Sequence, residues 1–439
     1  MTFHFLRRRT GPSSRFRPAT SDRTRIGWLL TGAAACVVGT ALAQSPVPSP
    51  VDVEIGFLEA RLQRDEADPI TPTRLGHAYL RKARTTGDFA PYARAEAVFQ
   101  LALKRSPEHF GALTGLAAAL SARHAFGEAL AVAERAIKAA PDSVDGYAAA
   151  GDAALEAGLL EKAAAFYAEV ARRAPGYHTE TRLANLAAAR GEPSKAYEAL
   201  SRAVADGTAH GLSADLIAWC HVRAGAVAWE HGDWPRAERA YTAALELTPA
   251  SEAAIEHLAE LRAAQGRSKE SLELYARAIA INPRPEFHEA VGRVHQQMGM
   301  RAEAGAAFAR AREGYLEAAS GGDPGSYRLL ALFLTDVEPR FDEAVEWARK
   351  DLAIRQDGVT LGVLAWALLK KGDVAAAAET ANRAVAARPV DADTWYRAGV
   401  AAMAAKDSRA ARARLSRALE INPRFSAAAD ARERLTLKR

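Results

Sequence analysis

Small, ring-bearing and turn-forming residues recur along this chain at one constant interval. Pro107, Pro141 and Pro175 are spaced by 34 residues, and so are Pro249 and Pro283, and Pro389 and Pro423. Other positions keep the same phase. Eight places into each repeat stands Gly or Ala: Ala117, Gly151, Gly225, Ala259, Gly292, Ala365 and Gly399. Seven places later comes a glycine at Gly158, Gly232, Gly266, Gly299 and Gly372. Five further on is Ala or Ser, as at Ala129, Ala163, Ala237 and Ser271. A large ring often follows four residues later, at Phe99, Tyr167, Tyr241, Tyr275 and Phe308. The next phased position is usually alanine, as at Ala136, Ala244, Ala278 and Ala384.

This pattern predicts two helices of about a dozen residues per repeat, joined at the glycine. The small residues sit where the helices cross closely, and the ring fills the space between successive pairs. Proline cannot continue a helix, so it closes one pair and opens the next. A single pair cannot bury its apolar stripe, and stacking on a neighbour buries it.

The spacing and residue types resemble the tetratricopeptide repeat family. Trp234–Pro249 is similar to that family's second helix, and Trp395–Gly399 to its first. The resemblance covers roughly residues 74–425 and implies an all-α, right-handed α-solenoid of about ten helix-turn-helix units. The units are expected at 76–211 (units 1–4), 218–320 (units 5–7) and 325–425 (units 8–10). A capping helix within 52–75 and another within 426–439 are expected to close the ends. Four units depart from the pattern. Thr85–Pro91 expands the first turn, and the fourth and seventh units lack the closing proline. Val337–Phe341 alters the eighth turn.

Composition then narrows the function. The hydrophobic fraction of 49% and charged fraction of 25% are those of a folded chain. A formal charge of +5 suggests nucleic-acid binding at first sight. Residues 1–43, however, hold seven arginines and one acid, Asp22, and the remaining chain is nearly neutral. The basic character therefore belongs to a leader, and no nucleic-acid partner is expected.

That leader has a basic start, the apolar run Ile26–Ala43 and the small-x-small triplet Ala41-Leu42-Ala43. It reads as a signal peptide cleaved between Ala43 and Gln44, or as an N-terminal membrane anchor if residues 26–43 are kept. Residues 44–51 form a Pro/Ser linker. Export to the periplasm or cell envelope follows, the alternative being anchoring in the inner membrane with the repeats outside the cytoplasm. Removing the leader removes Cys36 and leaves Cys220 as a lone thiol, expected to be buried.

No phosphate loop, His-Glu-x-x-His, nucleophile elbow, calcium loop or Cys-x-x-Cys occurs, so no enzyme, cofactor or metal site is expected. His221, His257 and His295 lie in consecutive first helices but at different places, so they do not share one stripe. The resemblance implies a concave groove that holds an extended peptide or helix of another protein. Its candidate residues are Trp219, Arg223, Trp229, Glu256, Glu260, Arg293, Gln296, Trp366 and Tyr396. The tryptophans suit either groove anchors or packing between repeats, and the charged residues either groove or solvated surface. The family's paired-lysine carboxylate clamp is absent: the corresponding places hold Ala148 and Asp152, and Glu256 and Glu260. An assembly or secretion component held at the membrane, and a glycan-binding array using Trp229 and Trp366, are the competing functions.

Overall fold

The structure is a computed structural model, and it describes residues 49–65, 68, 70–86, 89–387 and 389–436. The expected leader and its Ala43–Gln44 cleavage point lie outside the described residues. All regular structure among the described residues is helical.

A single helix, α1 (Pro50–Arg64), comes first. Ten hairpins follow. They pair α2 (Ile70–Thr86) with α3 (Ala90–Arg105), α4 (Phe110–Ala122) with α5 (Phe126–Ala139), and α6 (Val144–Glu156) with α7 (Leu160–Arg173). Next come α8 (Tyr177–Ala189) with α9 (Pro193–Ala209), α10 (Ala214–Glu230) with α11 (Trp234–Leu247), and α12 (Glu252–Ala264) with α13 (Ser268–Ile281). The last four are α14 (Pro285–Gln297) with α15 (Arg301–Ser320), α16 (Gly325–Asp336) with α17 (Phe341–Ile354), α18 (Gly358–Lys371) with α19 (Val374–Ala386), and α20 (Ala392–Ala404) with α21 (Ser408–Ile421). α22 (Ala428–Thr436) packs on α21 and closes the array. The chain is thus a helical repeat solenoid.

Local chemistry sets the helix ends. Side chains of Asp233, Ser251, Asp357, Asp373, Asp391 and Asp407 accept hydrogen bonds from backbone N–H groups in the first turn of the helix each one precedes. Three boundaries differ from the sequence reading. α1 begins at Pro50, inside the expected linker 44–51, because the Ser49 side chain accepts from the Asp52 N–H and caps a helix there. α10 begins at Ala214, ahead of the expected start at 218. α2 begins at Ile70, inside the span 52–75 assigned to a cap, because Asp68 Oδ1 accepts from the Ile70 N–H at 2.8 Å and starts a helix there. Within the hairpins, glycines at the turn adopt positive φ, for example Gly232 at 73° and Gly266 at 74°. Arginines of second helices tie down the preceding proline loops: Arg135 donates to the Pro107 carbonyl and Arg277 to the Pro249 carbonyl, both at 3.1 Å.

The core runs the length of the array as alanines and rings, among them Phe99, Tyr167, Tyr241 and Tyr315, all buried. Successive first helices touch: α2 with α4, α4 with α6, α6 with α8, α10 with α12, α12 with α14, α16 with α18, and α18 with α20. Successive second helices do not pack on one another to that extent. First helices therefore follow the shorter, inner track of the curve. The curl is tight enough that the loop after α21 reaches the turn between α10 and α11, where Asn422 meets Trp229.

Candidate partner-binding groove

The inner track of hairpins five to seven concentrates carboxylates. Its centre is Arg284, in the loop before α14. The guanidinium meets Glu286 at 2.8 Å, Glu252 at 3.3 Å and Glu256 at 3.7 Å, and lies 5.1 Å from the Phe287 ring centre. Three carboxylates around one cation leave a local excess of negative charge. Asn282 Nδ2 donates to Glu252 at 3.2 Å, so the loop side of the cluster is fixed. Burial pushes the Glu256 carboxyl above its usual range, although the nearby His257 and Arg284 pull it back.

His257, on the same helix as Glu256, is buried and stacks on the Tyr241 ring at 5.4 Å. Burial opposes its charge. The carboxylates of Glu260, Glu256 and Glu230 outweigh that, and the imidazole pKa sits above its ordinary value. One turn into α14, Glu289 accepts from Tyr315 Oη at 2.8 Å and from Arg293 Nε at 2.8 Å.

The residues singled out in the sequence divide into two sets. Glu260, Arg293 and Gln296 have exposed or half-exposed side chains on α12 and α14. Glu256 lies among them, partly covered by Arg284. Arg223 is held in place: its Nε donates to Asn185 at 2.9 Å and its guanidinium faces Glu230 at 3.7 Å. Trp219 packs against the cluster containing Tyr177 and Cys220. Trp229 packs with Leu258 and stacks on Trp234, centroids 6.2 Å apart.

Trp366 and Tyr396 are packing residues, not groove anchors. Each is only 9% exposed. Trp366 donates its indole N–H to Asp336 at 2.8 Å, across to the neighbouring hairpin. Tyr396 donates to Asp430 of α22 at 2.6 Å, and its ring touches Phe425. Both fill the space between hairpins, so their rings are not offered to a ligand.

The sequence reading overlooked Arg284, Glu252 and Glu286. The signal was there in Asn282-Pro283-Arg284-Pro285-Glu286, where one cation sits between two helix-breaking prolines with an acid two residues on. Asp152, noted as a departure from the carboxylate clamp, is fully engaged: Tyr167 donates to it at 2.8 Å and Arg182 at 2.9 and 3.0 Å. Among the described residues no group of three or more His, Cys, Asp and Glu side chains could hold a metal ion. No helix among them is long and apolar enough to cross a membrane.

Comparison with known proteins agrees with the repeat. Two family models, both described as tetratricopeptide repeat, match the chain, one over residues 228–294 and the other over 80–144, 118–178 and 363–434. No curated protein matches. Among solved structures the chain is similar to yeast Tom70, at 13% identity over 88% of this chain and 91% of that one, with a TM-score of 0.41. It is similar to a human IFIT1 dimer with m7Gppp-AAAA, at 17% identity over 76% of this chain and 77% of that one, with a TM-score of 0.46. It is also similar to PilW, a widely conserved type IV pilus biogenesis factor, at 15% identity over 47% of this chain and 93% of that one, with a TM-score of 0.41. The constant repeat interval, the ten packed hairpins and the matching family models make this chain a member of the tetratricopeptide repeat family.

Proposed function

We propose that the chain is a non-enzymatic scaffold of the bacterial cell envelope that holds a segment of another protein along the inner face of its solenoid. Tetratricopeptide repeats imply a protein–protein interaction scaffold. The observation that carries the finer reading is the preformed cluster of carboxylates on α12 and α14, where Glu252, Glu256 and Glu286 surround the single guanidinium of Arg284 and Glu260 stands exposed on α12. A rigid, charged track loses little freedom on binding, so its contacts convert efficiently into affinity. Excess negative charge there favours a partner segment bearing lysine or arginine, either extended or helical.

The leader supports export, with cleavage after Ala43. In a second form the run Ile26–Ala43 is kept and holds the repeats at the inner membrane as an assembly or secretion component. A glycan-binding array gains little support, since Trp366 offers no open ring face.

The test compares the full chain with a triple variant, Glu260→Ala, Arg293→Ala and Gln296→Ala, in quantitative capture from native envelope extracts. The substituted side chains are solvent-facing, so folding is retained. Loss of one defined protein from the variant's capture supports the groove; identical captures refute it. N-terminal sequencing of the purified protein decides between the cleaved and anchored forms.

A further inference from the structure

The solenoid meets itself at a seam between hairpin five and the loop that follows hairpin ten. Asn422 Nδ2 donates to the Trp229 backbone carbonyl at 3.1 Å. Asn422 Oδ1 and Pro423 crowd the Gly232 turn so closely that a Cβ there would lie 2.8 Å from the oxygen and 3.2 Å from Pro423 Cδ. Arg424 lies over the Trp234 ring at 4.9 Å, and that ring stacks on Trp229. One hairpin earlier the arrangement repeats. Val390, in the loop before α20, approaches the Gly191 turn to 3.2 Å from where a Cβ would stand. Two successive hairpin turns thus seat against two successive interhairpin loops.

What holds the seam differs from what holds the hairpins. Apolar burial joins each hairpin to the next, and it is the dominant force in such arrays. Among the described residues no apolar core cluster crosses the seam. The cluster with Trp229 and Trp234 stays within hairpins four to six, and the one with Phe425 stays within hairpins eight to ten and α22. Among the described residues, one hydrogen bond, one cation–π contact and glycine-sized clearances do the joining.

We propose that this seam is a releasable clasp that gates the inner face: hairpin ten and α22 swing off hairpin five to admit a partner segment and close over it. The role of the partner rests on the function proposed above, whereas the clasp itself does not. Closed, hairpins five to ten encircle the inner face. A positively charged segment lying against the carboxylates of α12 reaches hairpin ten as well only when the clasp is closed, so it favours that state. Closure and binding are therefore coupled through a differential interaction with the two states.

The experiment needs no partner, so its failure is distinguishable from failure of the scaffold reading. Donor and acceptor dyes are placed on the full chain at Arg239→Cys and Glu420→Cys, both exposed, in a Cys36→Ala, Cys220→Ala background. Single-molecule energy transfer then reports the seam. The expected result is two exchanging populations. Arg424→Ala, which leaves the Asn422 bonds in place, should raise the open-to-closed ratio about two- to fivefold. Asn422→Ala should shift it in the same direction, with unchanged helical circular dichroism. A single high-transfer population that neither substitution moves would mean a rigid seam. A single low-transfer population would mean that the clasp never closes. Either overturns the proposal.

Discussion

Tyr241 of α11 packs its ring onto the bare Cα of Gly225 in α10. A methyl group on Gly225 would stand 2.6 Å from Tyr241 Cδ1. The same relationship joins Tyr167 to Gly151 and Phe308 to Gly292. The missing Cβ is what lets the two helices of a hairpin close on a full ring. Gly225→Ala is therefore expected to cost about 1–3 kcal/mol through overpacking, despite alanine's better helix propensity. Gly305, exposed within α15 with open space around its Cα, serves as the control. Gly305→Ala should stabilise by about 0.5–1 kcal/mol. Urea unfolding followed by circular dichroism measures both, and opposite signs are expected.

These glycine–ring pairs explain why the hairpins were legible in the sequence. They lie within one repeat, at a spacing that a helical hairpin imposes. Relations between repeats were harder to read. Phe99 meets Gly76 and also Gly115 of the next hairpin, two residues from the phased Ala117. His124 and Lys406 take positive φ, at 61° and 64°, at turns where other units carry glycine, and no residue type marks them. Trp366 and Tyr396 look identical to groove anchors in the sequence. Their burial depends on how neighbouring hairpins rotate about each other, which repeat spacing does not encode. The seam joins residues 193 positions apart and leaves no periodic trace.

The eighth hairpin ends without a proline, and a buried ion pair holds its joint. Arg355, whose guanidinium donates to the Pro324 carbonyl, sits 3.4 Å from Asp351, and Asp351 accepts from Thr360 Oγ1 at 3.1 Å. Both partners are almost fully covered. Burial pushes the Asp351 carboxyl up and the Arg355 guanidinium down. Asp351→Ala leaves a buried cation uncompensated and should cost about 3–5 kcal/mol. The double substitution Asp351→Ala, Arg355→Met should recover much of that loss, because it removes the stranded charge as well. Chemical denaturation of the three proteins tests the cycle.

His257 makes stability depend on pH. Its folded-state pKa lies above the ordinary value, so the folded chain holds the proton more tightly than the unfolded chain. That contribution is complete below the unfolded pKa and is lost as pH rises through the folded one. The denaturation midpoint of the parent chain should fall as pH rises above the ordinary imidazole value of about 6.5, and His257→Gln should flatten that part of the profile. An unchanged slope in the variant would assign the dependence to other groups.

Cys220 is buried, and burial pushes its thiol up to about 11 against the opposing influence of Tyr177. A thiol so poised carries almost no thiolate at neutral pH and resists alkylation. Labelling at about pH 8 should leave Cys220 unmodified in the folded chain and modify it fully in urea. Peptide mass mapping reads the site. The denatured count also reports the leader, since one thiol is expected after cleavage and two if Cys36 is retained.

The central claim is that the inner face of the solenoid holds another protein. Photo-crosslinking in living cells tests it most directly, with a benzophenone amino acid placed at Gln296 or Glu260 on the inner track and at the exposed Lys269 of α13 on the outer helices. One discrete crosslinked partner shared by the two inner positions and missing from Lys269 is the expected result. Crosslinks from Lys269 alone, or none from either inner position, would contradict the account.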